Sequence, residues 1–412
     1  MQEGILLRIN AGRVRRLWLV LLSLPLLMLM LAVPATPARA ATAVNPFADL
    51  AGFTIYSSGD ATLNNNELEG SVVAAHELST SKQNYAVVHK VAGTGDYTIP
   101  VIDGVPVRML ANNYTIGASA SAEPSFAVTN AGATTGTNEA QGSIKSVETS
   151  GWTAAERGGF VRVTPNAATP NFVIDLQSRA WSGTTSATEI TRIKTQESSV
   201  AAYVSPDLTA STQCLASVVG NYVTVPAGDM AVLPALSTDR PNVFSYAELA
   251  GRTIKLNNNP GYQPTATAPI IVRVANGTTT IGKLNFEGWS SAAGAQQNYS
   301  SFILLDLSEV TNDVLIDGLE MGAIYAPQAE VTFNSNVTWN GQLIAGGFGA
   351  WGAGELHHHT FQPTLPCGSE PTTGRFAITK TVTGLNQGVD PGNFQFNYRI
   401  DQGPNQTATI TP

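Results

Sequence analysis

Ala61-Thr-Leu-Asn-Asn-Asn-Glu-Leu-Glu-Gly-Ser-Val-Val-Ala74 and Val331-Thr-Phe-Asn-Ser-Asn-Val-Thr-Trp-Asn-Gly-Gln-Leu-Ile-Ala345 follow one template. Each opens on Thr-apolar-Asn, crosses a short polar stretch, and leaves through Gly, a polar residue and an apolar run. Thr alternating with apolar residues reads as strand, and the Asn-rich centre reads as a turn. Two such units far apart in the chain predict neighbouring coils of one β-solenoid, closed by bringing the chain's ends together. Such a scaffold presents binding surfaces, and nothing in it requires catalysis.

Working outward, Phe53–Tyr56, Tyr85–Val91 and Tyr97–Leu110 alternate as strands, with Asp103-Gly104 as a two-residue hairpin turn. Residues 110–180 read as an insertion: Ala118–Gly151 is small, polar and loop-rich with a partial strand at Phe126–Val128, and Phe160–Val163 and Phe172–Leu176 read as short strands. Ile190, Ile193, Glu197, Val200 and Ala201 fall at helical spacing, which predicts one amphipathic helix over Ser186–Tyr203, capped by Ser186 or Thr188 and packed on the flank of the solenoid. After Cys214 the strand signal returns, and Ser301–Asp306 reads as a strand buried on both faces.

Residues 1–40 read as a signal peptide. Arg8, Arg13, Arg15 and Arg16 precede an apolar stretch from Leu17 to Val33, and Ala38-Arg39-Ala40 supplies the small residues for cleavage after Ala40. An uncleaved membrane anchor is the rival reading, disfavoured by Pro25, Pro34 and the cleavage site. Either way the rest of the chain is expected outside the cell. Removing this segment, with its five arginines and Glu3, takes the net charge from −8 to −12. That balance excludes nucleic acid and anionic lipid as partners. Only 13% of residues are charged, so the surface is polar through amides and hydroxyls. In an oxidising compartment Cys214 and Cys367 are candidates for a disulfide closing a very long loop; two separate thiols are the alternative.

Residues 368–374 lie in a Pro-, Gly- and Thr-rich linker. Arg375–Thr383 and Phe394–Ile400 then alternate strictly and predict the start of a β-sandwich over 375–412, incomplete as written.

Three stretches resemble one family. Asp60-Ala-Thr-Leu-Asn64 with Leu68-Glu-Gly-Ser-Val-Val-Ala74 is similar to its amino-terminal signature, and Val243-Phe-Ser-Tyr-Ala-Glu-Leu-Ala250 to its middle segment. Gly322-Ala-Ile-Tyr-Ala-Pro-Gln-Ala-Glu-Val-Thr-Phe333, Asn340–Ala345 and Gly354-Glu-Leu-His-His358 are similar to its carboxy-terminal signature. The family is the choice-of-anchor A domain of bacterial surface proteins, also described as an ice-binding-like adhesive domain. The resemblance spans 45–367, within a domain bounded at 41–367. It implies secretion, adhesion and attachment to the cell surface or cell wall of a Gram-positive bacterium, with no enzyme activity and no cofactor. Phe376-Ala-Ile-Thr-Lys-Thr-Val-Thr-Gly384 resembles the start of the immunoglobulin-like repeats of Gram-positive surface proteins. That likeness makes Lys380 a candidate isopeptide lysine, although its partner would lie beyond Pro412 and an exposed strand lysine is the simpler reading. No Leu-Pro-x-Thr-Gly motif occurs in the sequence, so envelope attachment is expected through a segment not in this chain.

Other motifs carry less. Gly346-Gly-Phe-Gly-Ala-Trp-Gly-Ala-Gly354 lacks the Lys-Ser/Thr of a phosphate loop and reads as a flexible loop at a coil end. Of His357, His358 and His359, two at most share a strand face, too few for a metal site on their own. The acids Asp306, Glu309, Asp313, Asp317 and Glu320 lack calcium-loop order. No serine sits in a Gly-x-Ser-x-Gly elbow, so no catalytic residue is assigned. Of the tryptophans, Trp152 and Trp181 flank the inserted region and are the candidates for stacking on a ligand. The function expected is therefore adhesion or display toward a glycan or matrix protein. A carbohydrate-active enzyme on the same scaffold is the alternative. Ice binding ranks below both, because Thr62 and Thr332 match while no threonine ladder continues between them in the sequence.

Overall fold

Buried rows that run across strands, rather than along them, hold this fold together. The computed structural model describes residues 42–50, 52–90, 97–118, 120, 123–165, 171–290, 297–368, 394–398 and 406–410. Val314, Val331, Phe348, Ala61, Leu78 and Tyr114 occupy matched positions of successive parallel strands. Trp339, Leu356, Leu68, Val87, Val128 and Leu176 do the same in a second sheet. Both rows are buried in one apolar cluster. Large beside small along a row, as with Phe348 beside Ala61, lets two sheets close on each other without voids.

The protein is mainly β, with two large sheets of 14 and 8 strands among the described residues. The longer runs in the order Ser143–Ser146, Val105–Ile116, Val72–Thr80, Ile55–Ser57, Leu343–Trp351, Ala323–Asn334, Ile303–Asp306, Ile270–Arg273, Asn242–Ser245 and Asn221–Tyr222. Ile55–Ser57 and Ala61–Leu63 both pair with Val72–Thr80 on one side and Leu343–Trp351 on the other, which closes a small ring of four strands. The two look-alike segments therefore meet directly: Ala61 opposes Phe348 and Thr62 opposes Gly349. In the second sheet Glu67–Glu69 and Trp339–Gly341 lie on either side of Leu356–His358. The Asn-rich turn closes inward. Buried Asn65 donates to Glu67 O and Gly354 O and accepts from the Tyr85 hydroxyl.

A register shift divides the long strands in two, between Ala74 and Glu77 and between Ala326 and Glu330. The outer face of the first half, with Tyr325, Ile344, Tyr56, Val73 and Leu110 in register, is covered by helices. These are α2 (Glu197–Val204) and α3 (Thr209–Ala216), whereas α1 (Ser186–Ile193) buries Ile193 in the cluster that holds the two buried rows. Val200 of α2 and Cys214 and Leu215 of α3 join that apolar layer, and the Tyr325 hydroxyl donates to Leu208 O. No helix among the described residues is long and apolar enough to cross a membrane.

Several expectations are corrected here. The single helix is two, because Lys194 pairs with Ser146 at the sheet edge and the Thr195 amide donates to Ser146 O, which no helical residue can do while continuing its turn. Thr185 is the cap, accepting from the Thr188 amide. Residues 118–151 hold more strand than expected, with Ser143–Ser146 in addition to the expected strand at Ser125–Val128, while the strands expected at Phe160–Val163 and Phe172–Leu176 form as Phe160–Thr164 and Val173–Ala180. Val105–Ile116, Ser125–Val128, Ser143–Ser146 and Val173–Ala180 extend both sheets in parallel, and Phe160–Thr164 pairs antiparallel with both Thr153–Arg157 and Val173–Ala180. The glycine-rich stretch is strand over Leu343–Trp351. The Asp103-Gly104 turn forms as read, both residues at positive φ (50° and 74°), between Val101–Ile102 and Val105–Pro106. Cys214 and Cys367 are joined in a disulfide, Cα atoms 4.9 Å apart. Towards the carboxy terminus, Phe394–Tyr398 and Gln406–Ile410 pair as an antiparallel hairpin. The expected strand Arg375–Thr383, Lys380 within it, and the 1–40 segment lie outside the described residues.

Candidate functional site

The second half of the long sheet keeps its outer face uncovered. Across it one row runs Thr280, Leu315, Thr332, Gly349, Thr62, Ser79, Thr115, each opposite the next in parallel register. The strand spacing places these positions about 4.8 Å apart. Thr332 and Thr62 are partly exposed between buried neighbours, so the row lies on the face away from the apolar cluster. Thr62 Oγ1 and Ser79 Oγ are 2.8 Å apart and bonded. Thr62 and Thr332 share this row without forming a threonine ladder: the strand between them, Leu343–Trp351, sets Gly349 in the gap.

Gly349 occupies the middle of that row, and what replaces its side chain is the ring of Trp351. A Cβ on Gly349 would lie 2.1 Å from Cζ3 and 2.3 Å from Cη2 of Trp351. The indole therefore rests on bare backbone between Thr332 and Thr62, beside Asn334, which opposes Trp351 in register. It is 40% exposed. An aromatic plane flanked by hydroxyls and an amide suits the apolar face and the rim hydroxyls of a sugar.

The expected stacking residues behave differently. Trp152 is 8% exposed and packs edge-on against Tyr114 at 5.8 Å, so it belongs to the core and presents no face to a ligand. Trp181 is partly buried against the same apolar cluster. Exposure of Trp351 follows from the register of Gly349, a signal that a linear reading of a glycine-rich stretch does not contain.

A second cluster lies on the outer side of the eight-stranded sheet. Glu67 and Glu69 on one strand neighbour His357 on the next and Glu355 just before it. Nε2 of His357 is 3.0 Å from Glu355 Oε2 and 3.9 Å from Glu69 Oε1, and Asn66 donates to Glu355 Oε1. Burial, then the neighbouring Glu355 and Glu69 carboxylates, push the Glu67 carboxyl above its ordinary value, with His357 pulling it back. His358 points the other way, its Nδ1 3.0 Å from Thr54 Oγ1. Of the acidic run, Asp306 is buried beside Arg273 and Glu320 pairs with Lys283; they do not converge on one point. An open pocket of about 600 Å³ lies at the Asn221–Tyr222 edge, lined by Tyr222, Leu236 and Arg240 among others. No carboxylate lines it, so it offers no acid–base pair for glycoside cleavage.

A search of curated proteins finds no match to this chain. A family model described as "Putative Ice-binding-like adhesive domain" matches residues 46–358, well over half of the chain and both of its large sheets, and the chain belongs to that family.

Proposed function

We propose that this protein is an exported, non-catalytic adhesin that binds a glycan on the uncovered half of its long sheet. The observation that carries the reading is Trp351 lying over Gly349 within a row of threonine and serine hydroxyls. Membership of an adhesive-domain family supports binding over catalysis, and the parallel rows support a β-solenoid, a stiff body that presents such a face without loss of order. The basic, apolar and small-residue order of 1–40 supports export. The alternating segments of 375–412 support a second β domain of immunoglobulin-like type, set between the adhesive domain and a cell-wall attachment segment further on.

The test is a glycan array, with matrix proteins on the same slide, probed with the mature chain. Trp351→Ala is expected to weaken retention on the bound glycans at least tenfold, about 1.4 kcal/mol, while thermal stability stays within a degree or two. Gly349→Val, which takes the space the indole occupies, is expected to do the same with Trp351 still present. Undiminished binding by both variants, or binding confined to matrix proteins, rejects the assignment.

Ice binding is a second reading of the same face, favoured by the row from Thr332 through Thr62 to Thr115. Leu315 ends that run beyond Thr332, the indole over Gly349 interrupts its hydroxyls, and Thr62 and Ser79 bond each other. The expected thermal hysteresis is nil.

A further inference from the structure

The seam where the two ends of the domain meet in the second sheet is thin. Glu67–Glu69 and Leu356–His358 share one register pair, Leu356 with Leu68, whereas Glu67–Glu69 pairs over its full length with Tyr85–Val88 on the other side. Over that single pair stand three carboxylates and one imidazole, in two facing columns: Glu67 with Glu69, and Glu355 with His357.

We propose that this cluster binds a first-row divalent cation, with Zn²⁺ the best fit, and that the ion clasps the two ends of the domain together. One ligand atom from each of Glu67, Glu355 and His357 can be chosen so that all lie within 4.8 Å of one another. Donors around a tetrahedral ion sit about 3.4 Å apart, given metal–ligand bonds of about 2.1 Å, so small side-chain shifts close the shell. Glu69, fully buried with Oε1 3.9 Å from His357 Nε2, stands beside these three.

His357 fixes the direction of the site: the residue is 5% exposed, and its Nε2 is held among the carboxylates, 3.0 Å from Glu355 Oε2 and 3.9 Å from Glu69 Oε1, on the side where a cation would stand. A nitrogen donor among carboxylates selects a first-row metal over calcium, which prefers oxygen. Three negative groups around one imidazole also leave charge that a divalent ion neutralises. Glu67 and Glu355 are only partly buried, which leaves the cluster open to solvent on one side.

The test uses the mature chain, stripped with a chelator and titrated with Zn²⁺, Mn²⁺ and Ca²⁺ by calorimetry and thermal unfolding. One Zn²⁺ per chain is expected, with the unfolding midpoint raised by several degrees and Ca²⁺ at least a hundredfold weaker. Glu67→Gln/Glu355→Gln is expected to weaken Zn²⁺ at least a hundredfold, with the metal-free midpoint unchanged or higher because like charges are gone. Should that double variant not fold, Glu355→Gln alone, at a side chain 32% exposed, replaces it with an expected tenfold loss. His76→Ala, which removes the exposed histidine beside Asp60, is expected to leave binding unchanged. Absence of tight Zn²⁺ binding, equal binding of Ca²⁺, or full affinity in the glutamine variants overturns the assignment. Because none of these readouts involves a glycan, failure here leaves the Trp351 reading separate.

Discussion

Between pH 6.5 and pH 4 this protein is expected to lose on the order of 6 kcal/mol of stability through two histidines that folding keeps neutral. His359 is fully buried and neither ring nitrogen has a partner. Burial, then the nearby His357 and Lys90, hold its pKa at about 3. His89 is 3% exposed, edge-on to Tyr97. Burial, then Arg108, hold it at about 4 against the pull of Glu139. Both folded-state values lie below the unfolded value of about 6.5. As pH falls through that window the unfolded chain takes up protons that the folded chain refuses. The stabilisation is therefore complete above pH 6.5 and drains away toward pH 4 and, for His359, pH 3. At about 1.4 kcal/mol per unit, each contributes about 3 kcal/mol at pH 4. Relief at Glu67 and Asp306, whose carboxyls burial holds high, opposes the loss in part. Denaturant unfolding at pH 7, 6, 5 and 4 measures it. His359→Leu removes two unpartnered polar atoms from the interior, so it is expected to match or exceed the parent at pH 7 and to fall less by pH 4. A parent whose stability does not change across the window would refute the argument.

What a linear reading could recover here was local order and long-range likeness. Thr62 and Thr332 announce equivalent strands because the same alternation and the same Asn-rich turn recur, and the structure puts those segments in contact through Thr62 and Gly349. The Asp103-Gly104 turn is legible for the same reason, since its conformation depends on two residues alone. The helix break at Lys194 is not legible, because it arises from pairing with Ser146. Nor is the burial of Trp152, decided by Tyr114, or the placement of Trp351, decided by which residue register sets beneath it. The seam cluster is the extreme case. Asn66 and Glu355 are 289 positions apart and hydrogen-bonded, and the acids at 67 and 69 carry no motif until Leu68 is set against Leu356. Site chemistry on stacked parallel strands belongs to rows across the sheet, and a row has no sequence signature when its members come from both ends of the chain.

Removing the Cys214–Cys367 disulfide is expected to cost about 5 kcal/mol, the chain-entropy value for a loop of this size. The bonded residues are 153 positions apart, so the link restrains a large share of the unfolded chain. In the folded state it joins α3 to Leu365–Cys367, the strand that pairs antiparallel with Thr42–Val44. Both cysteines are at most 5% exposed, within the apolar layer that covers the first half of the long sheet. For a domain of this length 5 kcal/mol corresponds to a fall of about 7 °C in the unfolding midpoint. Cys214→Ser/Cys367→Ser, or the parent held in reductant, is expected to show that fall. It also places two hydroxyls where the layer is apolar, so Cys214→Ala/Cys367→Ala is the cleaner comparison. If entropy of the unfolded chain is the whole effect, proteolysis of the folded alanine variant cuts no faster between Val204 and Val218 than in the parent. Faster cutting there means α3 has come loose, and the stabilisation then resides in docking of the helix. A midpoint within 2 °C of the parent would show that burial of Val200, Leu215 and Leu365 fastens this layer without the covalent link.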